Sequence, residues 1–403
     1  MVDCLKDMLA DPFGFSVVLM LFLIGAIMTA VAYGILLERK IAAWVQDRYG
    51  PNRVGPYGLF QPIADGLKFL LKEDIIPANV DRRLFLFAPW MIFVVALLGF
   101  AVIPWGGEFR WPWMAADQTL SVQVASVDIG LLYILAVSSL SVYGVVLGGW
   151  SSNNKYSFLG GMRAAAQMLS YEVPIGMVIL TVILATGHLR LEHMVEAQAG
   201  QFFGLSGFNW IIFYHPLGAI LIFIAALAEA NRTPFDLAEC EQELVGGYHT
   251  EYSAMKLALF FLAEYAHMIT SSALMVVMFF GGYMLPGWDW LNADPSWLAM
   301  VCRIAVVGVK VGGVIFMYML VRWTIPRFRY DQLMRIAWKG IVPMSMALVV
   351  IQGVIVYTGI SQWWATIGNV AVVVIAGVIA TARSQPISGR QASLRRRMVV
   401  SHG

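Results

Sequence analysis

Long apolar stretches alternate with short charged ones along this chain. A helix crossing about 30 Å of hydrocarbon needs about 20 apolar residues. Runs of that kind fall near 13–37, 84–104, 127–148, 162–187, 209–228, 257–285, 297–322, 341–360 and 366–382. The pattern predicts an all-α, polytopic membrane protein with about nine spanning helices. A different pattern fills the loop 38–83. Residues 50–56 are turn-rich. In residues 59–72, Phe60, Ile63, Leu67, Leu70 and Leu71 recur at helical spacing, while Asp65, Lys68 and Lys72 fall elsewhere. That is an amphipathic helix lying in the membrane interface. It serves either as an anchor or as the lip of an entrance for a lipid-like substrate.

Composition agrees, with 59% hydrophobic residues, 13% charged residues and a mean hydropathy of +0.72. Soluble domains are about half apolar and a quarter charged. The first run is too long for the core of a cleavable signal and lacks a basic leader, so it reads as a retained span. Charge then sets an orientation. With the amino terminus outside, the outer segments hold only Lys6, Arg110 and Arg190. The inner ones hold clusters such as Arg39, Lys40, Arg48 and Arg53, and later Arg322, Arg327, Arg329 and Arg335. This obeys the positive-inside rule. The ninth run is needed to keep the tail, with Arg395, Arg396 and Arg397, on the inner side.

Several chemistries are excluded. Cys4, Cys240 and Cys302 are isolated, and no C-x-x-C occurs. An iron-sulfur cluster held by this chain alone is not expected. The six histidines are scattered, and mid-run His267 reads as a hydrogen-bonded packing residue. No P-loop or dinucleotide fingerprint is present. The chain is expected to bind no metal, redox or nucleotide cofactor, and no nucleic acid.

Charges within apolar runs are costly and are functional candidates. Glu172 follows Arg163 by nine residues and Glu264 follows Lys256 by eight. At 1.5 Å per residue each carboxylate sits roughly 12–13 Å from the same surface, so they could be successive proton stations on different helices. Pro174 would kink the helix beside Glu172. Arg303 and Lys310 share a helix face. Lys310 is either a titrating site or a static ion-pair partner of one glutamate. The loop 229–256 carries Glu229, Asp236, Glu239, Glu241 and Glu243, five carboxylates in fifteen residues. Crowding at a membrane surface should raise some of their pKa values, which suits proton handling. A solvated acidic loop is the plain alternative.

Motifs narrow this further. The stretch Glu38-Arg39-Lys40-Ile41-Ala42-Ala43-Trp44-Val45-Gln46-Asp47-Arg48-Tyr49-Gly50-Pro51-Asn52-Arg53 resembles the first-loop signature of one membrane-subunit family of NADH-quinone oxidoreductase, respiratory complex I. It is the family of the bacterial H subunit, whose mitochondrial counterpart is called subunit 1. Gln61-Pro62-Ile63-Ala64-Asp65-Gly66-Leu67-Lys68 resembles the continuation of that signature. Gly148-Gly149-Trp150, Arg163-Ala164-Ala165-Ala166-Gln167, Asn231-Arg232-Thr233-Pro234-Phe235-Asp236 and Arg322-Trp323-Thr324-Ile325-Pro326-Arg327 are also similar, in order, over roughly residues 15–357. The resemblance implies a subunit of an NADH:quinone oxidoreductase, with quinone as substrate. It implies that FMN and iron-sulfur clusters reside in partner subunits. The implied partners are the peripheral-arm quinone-site and iron-sulfur subunits and the antiporter-like and small membrane subunits. It also implies that Arg48, Arg53, Phe60, Asp65, Lys68, Arg232 and Asp236 serve a quinone cavity. Glu172, Glu229, Glu239, Glu241, Glu243 and Glu264, with Lys310, would serve a proton route. Residues 1–360 would then form an eight-helix core, and 361–403 an additional helix and basic tail. The absence of a targeting peptide and the basic tail point to a bacterial plasma membrane. The other readings are an equivalent subunit of a membrane-bound hydrogenase or dehydrogenase, a stand-alone secondary transporter, and a purely structural anchor.

Overall fold

The computed structural model describes residues 10–114, 118–201, 205–237 and 241–383. Among them eight helices are long and apolar enough to cross a membrane. Helix α1 is Pro12–Val45, and the interfacial α2 is Gln61–Leu71. Helix α3 is Arg82–Leu98, prolonged by a tighter turn to Val102; α4 is Gly130–Ser151 and α5 is Lys155–Thr186. The short α6 (Leu191–Ala197), α7 (Pro216–Glu229) and α8 (Glu241–Leu244) precede α9, Ala254–Phe279. After the short α10 (Asp289–Ala293) come α11 (Trp297–Thr324) and α12 (Tyr330–Ile336). A π turn at Ala337–Ile341 joins α12 to α13, Val342–Thr358, and α14 is Trp363–Arg383. The described sheet is one antiparallel pair, Glu108–Phe109 with Leu120–Ser121.

The all-α, polytopic expectation holds, with two local corrections. The run 209–228 is not a full spanning helix. Pro216 has no backbone N–H to donate and restricts His215, which takes φ −127° and ψ 59°, so the helix begins only at Pro216. Its 14 residues measure about 21 Å, short of the hydrocarbon thickness. The run 257–285 also ends early, at Phe279, because Gly281 and Gly282 take φ values of 68° and 52°.

Helix α1 runs the other way, past its apolar stretch. Asp11 caps it by accepting from the Gly14 N–H at 2.9 Å, and Pro12 pre-sets its first turn. Its 34 residues measure about 51 Å, so the last turns carry Glu38, Arg39 and Lys40 beyond the hydrocarbon. Helix α9 is the hub, packing against α1, α2, α3, α7 and α11.

Helix α14 packs on α13 and α7 and leaves Ile367, Val370, Val374 and Val378 exposed to the surroundings. Its inward residues include Asn369, only 1% exposed. The Asn369 amide donates to the carbonyls of Tyr214 at 3.1 Å and Ala365 at 2.7 Å, and lies 3.4 Å from His215 Nδ1. Asn369→Leu would leave those buried groups of Tyr214 and His215 without their partner. The variant should lose about 1–3 kcal/mol of stability and become easier to cleave by protease near residue 361. Unchanged melting and cleavage would show that α14 docks by apolar packing alone.

Candidate functional site

The polar centre is built around Arg232, buried at 8% exposure just past the end of α7. Its Nη1 lies 3.4 Å from Glu38 Oε2, and its Nη2 lies 3.6 Å from Glu264 Oε2. Its guanidinium sits 4.0 Å from the centre of the Tyr265 ring. The Tyr265 hydroxyl donates to Glu38 Oε2 at 2.7 Å, and Arg322 pairs with Glu38 Oε1. Tyr248 donates to Glu264 Oε1 at 3.0 Å. Burial alone would lower the Arg232 pKa, but Tyr265, Glu264 and Glu38 outweigh it and push it further up. The guanidinium is therefore permanently charged.

The loop that presents Arg232 is held by Gln167 of α5, which is fully buried. Its amide nitrogen lies 2.8 Å from the Ala228 carbonyl, 2.9 Å from the Phe235 carbonyl and 3.1 Å from Asn231 Oδ1. Tyr248 is brought in by a close backbone crossing. A Cβ on Gly160 would lie 2.7 Å from Gly247 Cα, so α5 and the Gly247 turn can approach only without one.

Two cavities flank this centre. A cavity of about 430 Å³ lies between α1, α2, α9 and the Arg232 loop. Glu38, Arg39, Asp65, Lys68, Arg232 and Arg322 bring charge to it, and Ile35, Phe69, Phe261 and Leu262 bring apolar surface. A smaller cavity of about 70 Å³, with room for a few waters, is lined by Glu229, Glu264 and His267, with Ser138 and Ser141 of α4. Glu229 Oε1 lies 3.4 Å from His267 Nε2. Glu172 accepts a hydrogen bond from Ser139 of the same α4. Helix α4 therefore joins Glu172 to the cavity that holds Glu229 and Glu264. Glu38 and Glu264 meet through Arg232, and Glu264 and Glu229 share the smaller cavity; Glu172 bonds to Ser139, one residue along α4 from the cavity-lining Ser138.

The other expected residues scatter around this chain. Asp65 accepts from Arg39 at 2.7 Å, and Lys68 lies over the Phe69 ring. Phe60, just before α2, and Ile63 and Leu67 on it are exposed, whereas Gln61, Pro62, Asp65 and Phe69 face the larger cavity. Phe60 also packs over Gly55, whose φ is 71° and whose added Cβ would meet the Phe60 ring at 2.4 Å. Arg48 is exposed, with its Nε donating to Gln46 at 2.7 Å, and Arg53 is exposed beyond it. Asp236 pairs with Arg327 at 3.1 Å. Glu243 pairs with Arg163 at 2.6 Å, away from both cavities. Glu239 and the Glu241 side chain lie outside the described residues, as do Cys4 and Cys240.

Lys310 meets backbone carbonyls and not one of the glutamates. Its Nζ donates to the carbonyls of Phe280 at 2.7 Å, Gly282 at 2.9 Å and Met284 at 2.6 Å. These carbonyls belong to the turn that follows the end of α9, so the ammonium supplies donors to that turn. Arg303 does the same for neighbouring loops, donating among others to the carbonyls of Leu291 at 2.7 Å, Glu108 at 2.8 Å and Asp294 at 2.8 Å. The sequence pattern did not single out Glu38, Tyr248, Tyr265, His267 and Arg322 as members of the centre. For Glu38 a signal existed: it lies seven residues after the buried Val31, on the same face of α1.

Residues 18–353 match the family described as NADH dehydrogenase. The chain belongs to the NADH dehydrogenase family. Similar relatives are named as the H subunit of NADH-quinone oxidoreductase. The Leptospira biflexa protein is 48% identical over 328 residues, covering 80% of this chain and 89% of its own. The Flavobacterium johnsoniae protein is 46% identical over 342 residues, covering 84% and 94%. A Cytophaga hutchinsonii protein, named as the first of its H subunits, is 46% identical over 321 residues, covering 80% and 90%. The family match ends ten residues before α14 begins, so that helix lies outside it.

One carboxyl beside the centre is held above its ordinary range. Burial pushes the Asp236 carboxyl up and Glu264 adds to this, while Arg327, Arg322 and Arg232 pull it back, leaving it at about 6. A carboxyl raised from 3.8 to about 6 on folding adds stability while protonated in both states. That contribution is lost as pH rises through about 6. The melting temperature of the parent complex relative to Asp236→Asn should therefore fall between pH 4 and pH 6.5. The linked free energy is at most roughly 3 kcal/mol. A difference that stays constant over that range would refute the assignment.

Proposed function

We propose that this chain is the membrane subunit of an NADH-quinone oxidoreductase that forms one wall of the quinone site and links it to proton translocation. The observation that carries the reading is the charged cavity at Arg232, joined through Glu264 to a second, water-sized cavity. The larger cavity offers apolar walls and a charged end, which suits an amphiphilic quinone. The family relationship and the names of the relatives support the same reaction.

In this reading electrons reach the quinone from an iron-sulfur cluster in a peripheral partner, which also accounts for a chain without cofactor motifs. Exposed Arg48 and Arg53 meet that partner. In this reading reduction draws protons, which the acidic loop around Asp236 exchanges. Glu38 holds Arg232 and Arg322 at the cavity wall. A change in charge there is felt by Glu264 across 3.6 Å, and then by Glu229 and His267 in the adjoining cavity. Glu172, at the α4 serines, continues the route towards the antiporter-like subunits. Charge displacement along such a chain couples chemistry to proton movement, because each buried carboxylate's charge depends on its neighbour's.

Glu264→Gln and Glu229→Gln keep hydrogen bonding but remove charge. Each should lower NADH:quinone turnover in the assembled complex by about tenfold or more, or leave turnover while abolishing proton uptake. Coupled turnover at the parent rate in the double variant would sink the proton-route assignment.

The proposed setting is a bacterial plasma membrane, with the amino terminus outside and the basic tail in the cytoplasm. A cysteine placed at Ser401 should resist an impermeant thiol reagent in intact cells and react once the cells are opened. Ready labelling from outside would reverse the orientation of the tail.

A further inference from the structure

Helix α14 grips the irregular segment ahead of α7. Thr366 donates to the Phe213 carbonyl at 3.0 Å, and Asn369 donates to the Tyr214 carbonyl at 3.1 Å. The Trp363 ring leans on Tyr214, with centroids 4.9 Å apart. On its other side α14 presses on α13, where a Cβ added to Gly368 would lie 2.7 Å from Ile351 Cγ2. Between the three helices lie His215, Gln352 and Asn369, at 2%, 0% and 1% exposure.

Their polar atoms do not satisfy one another. The Asn369 nitrogen is fixed by two carbonyls, those of Tyr214 and Ala365, so its Oδ1 faces the other way. That oxygen has no hydrogen-bond partner among the described residues. The same nitrogen lies 3.4 Å from His215 Nδ1. A donor on that side leaves Nδ1 bare, so the ring proton sits on Nε2. Nε2 has no partner among the described residues either. Gln352 lies within reach of the ring, yet no hydrogen bond of normal geometry satisfies its Nε2 or its Oε1. Two donors and two acceptors are thus enclosed at membrane depth, where each unmet group is costly.

We propose that this junction of α7, α13 and α14 is a binding site for at least one buried water, which joins the C-terminal helix to the bundle. The water accepts from the His215 Nε2–H and donates to Asn369 Oδ1 and Gln352 Oε1. Three such bonds are usual for an enclosed water. An anion meets only the two donors, and a cation only the two acceptors. The ligand must carry both functions, and it must be small, because all three residues are shut off from their surroundings. Asn369 lies beyond the stretch matched by the family, so the site depends on this chain's own C-terminal helix.

The test images the unaltered assembled complex at a resolution that reveals ordered waters. The expected result is a density peak about 2.7–3.2 Å from both His215 Nε2 and Asn369 Oδ1. A map in which Gln352 bonds directly to His215, with no such peak, overturns the proposal. A second measurement compares two variants by the rate of protease cleavage near residue 361. Gln352→Ser shortens the side chain and leaves room for a further water, so cleavage should stay within about twofold of the parent rate. Gln352→Leu keeps the bulk but removes both polar atoms. The water then loses a partner, and cleavage should quicken about tenfold. Equal rates for the two variants overturn the site.

Discussion

A guanidinium withdrawn from water is the constraint on which the centre of this protein depends. Burying an unpaired arginine costs on the order of several kcal/mol, and here that cost is offset by groups from separate helices. Glu38 comes from α1, Glu264 and Tyr265 from α9, and Arg322 from α11 shares Glu38. None of these elements can shift without exposing or orphaning a charge. The same pairs that hold the helices together also line the charged cavity. Stability and electrostatic response are therefore properties of the same few atoms.

The irregular backbone around Arg232 is tolerated because it is enclosed by protein. A loop at membrane depth must have its polar groups satisfied internally. Gln167 does this for the turn from Ala228 to Phe235. Lys310 and Arg303 do it for carbonyls at the far ends of the bundle. Both cations act as solvent for carbonyls.

Apolar run length carried the helical architecture, because hydrocarbon thickness is a one-dimensional rule that a sequence obeys directly. It failed where a local backbone rule intervened, at Pro216 and at Gly281–Gly282. The amphipathic period of α2 was legible for the same reason. Which face of α2 meets the cavity was not, since Phe60, Ile63 and Leu67 mark the outer side. The carboxylates Glu172, Glu229 and Glu264 stood out because ionisable residues are rare in apolar runs. Their neighbours did not stand out. Tyr248, Tyr265 and Ser139 are ordinary residues until folding sets them against an acid. The partners of Lys310 were not legible, because carbonyl dipoles leave no mark in a sequence.

The shortness of α7 has one more implication. A helix of 14 residues cannot have both ends at the headgroups. Its length is then a ruler, and the mark at its end is Glu229. Adding one turn would carry that carboxylate about 5 Å along the axis, away from His267 and out of its water-sized chamber. In this bundle the depth of an acid is written as a residue count, so small insertions near Pro216 should be far less tolerable than substitutions there.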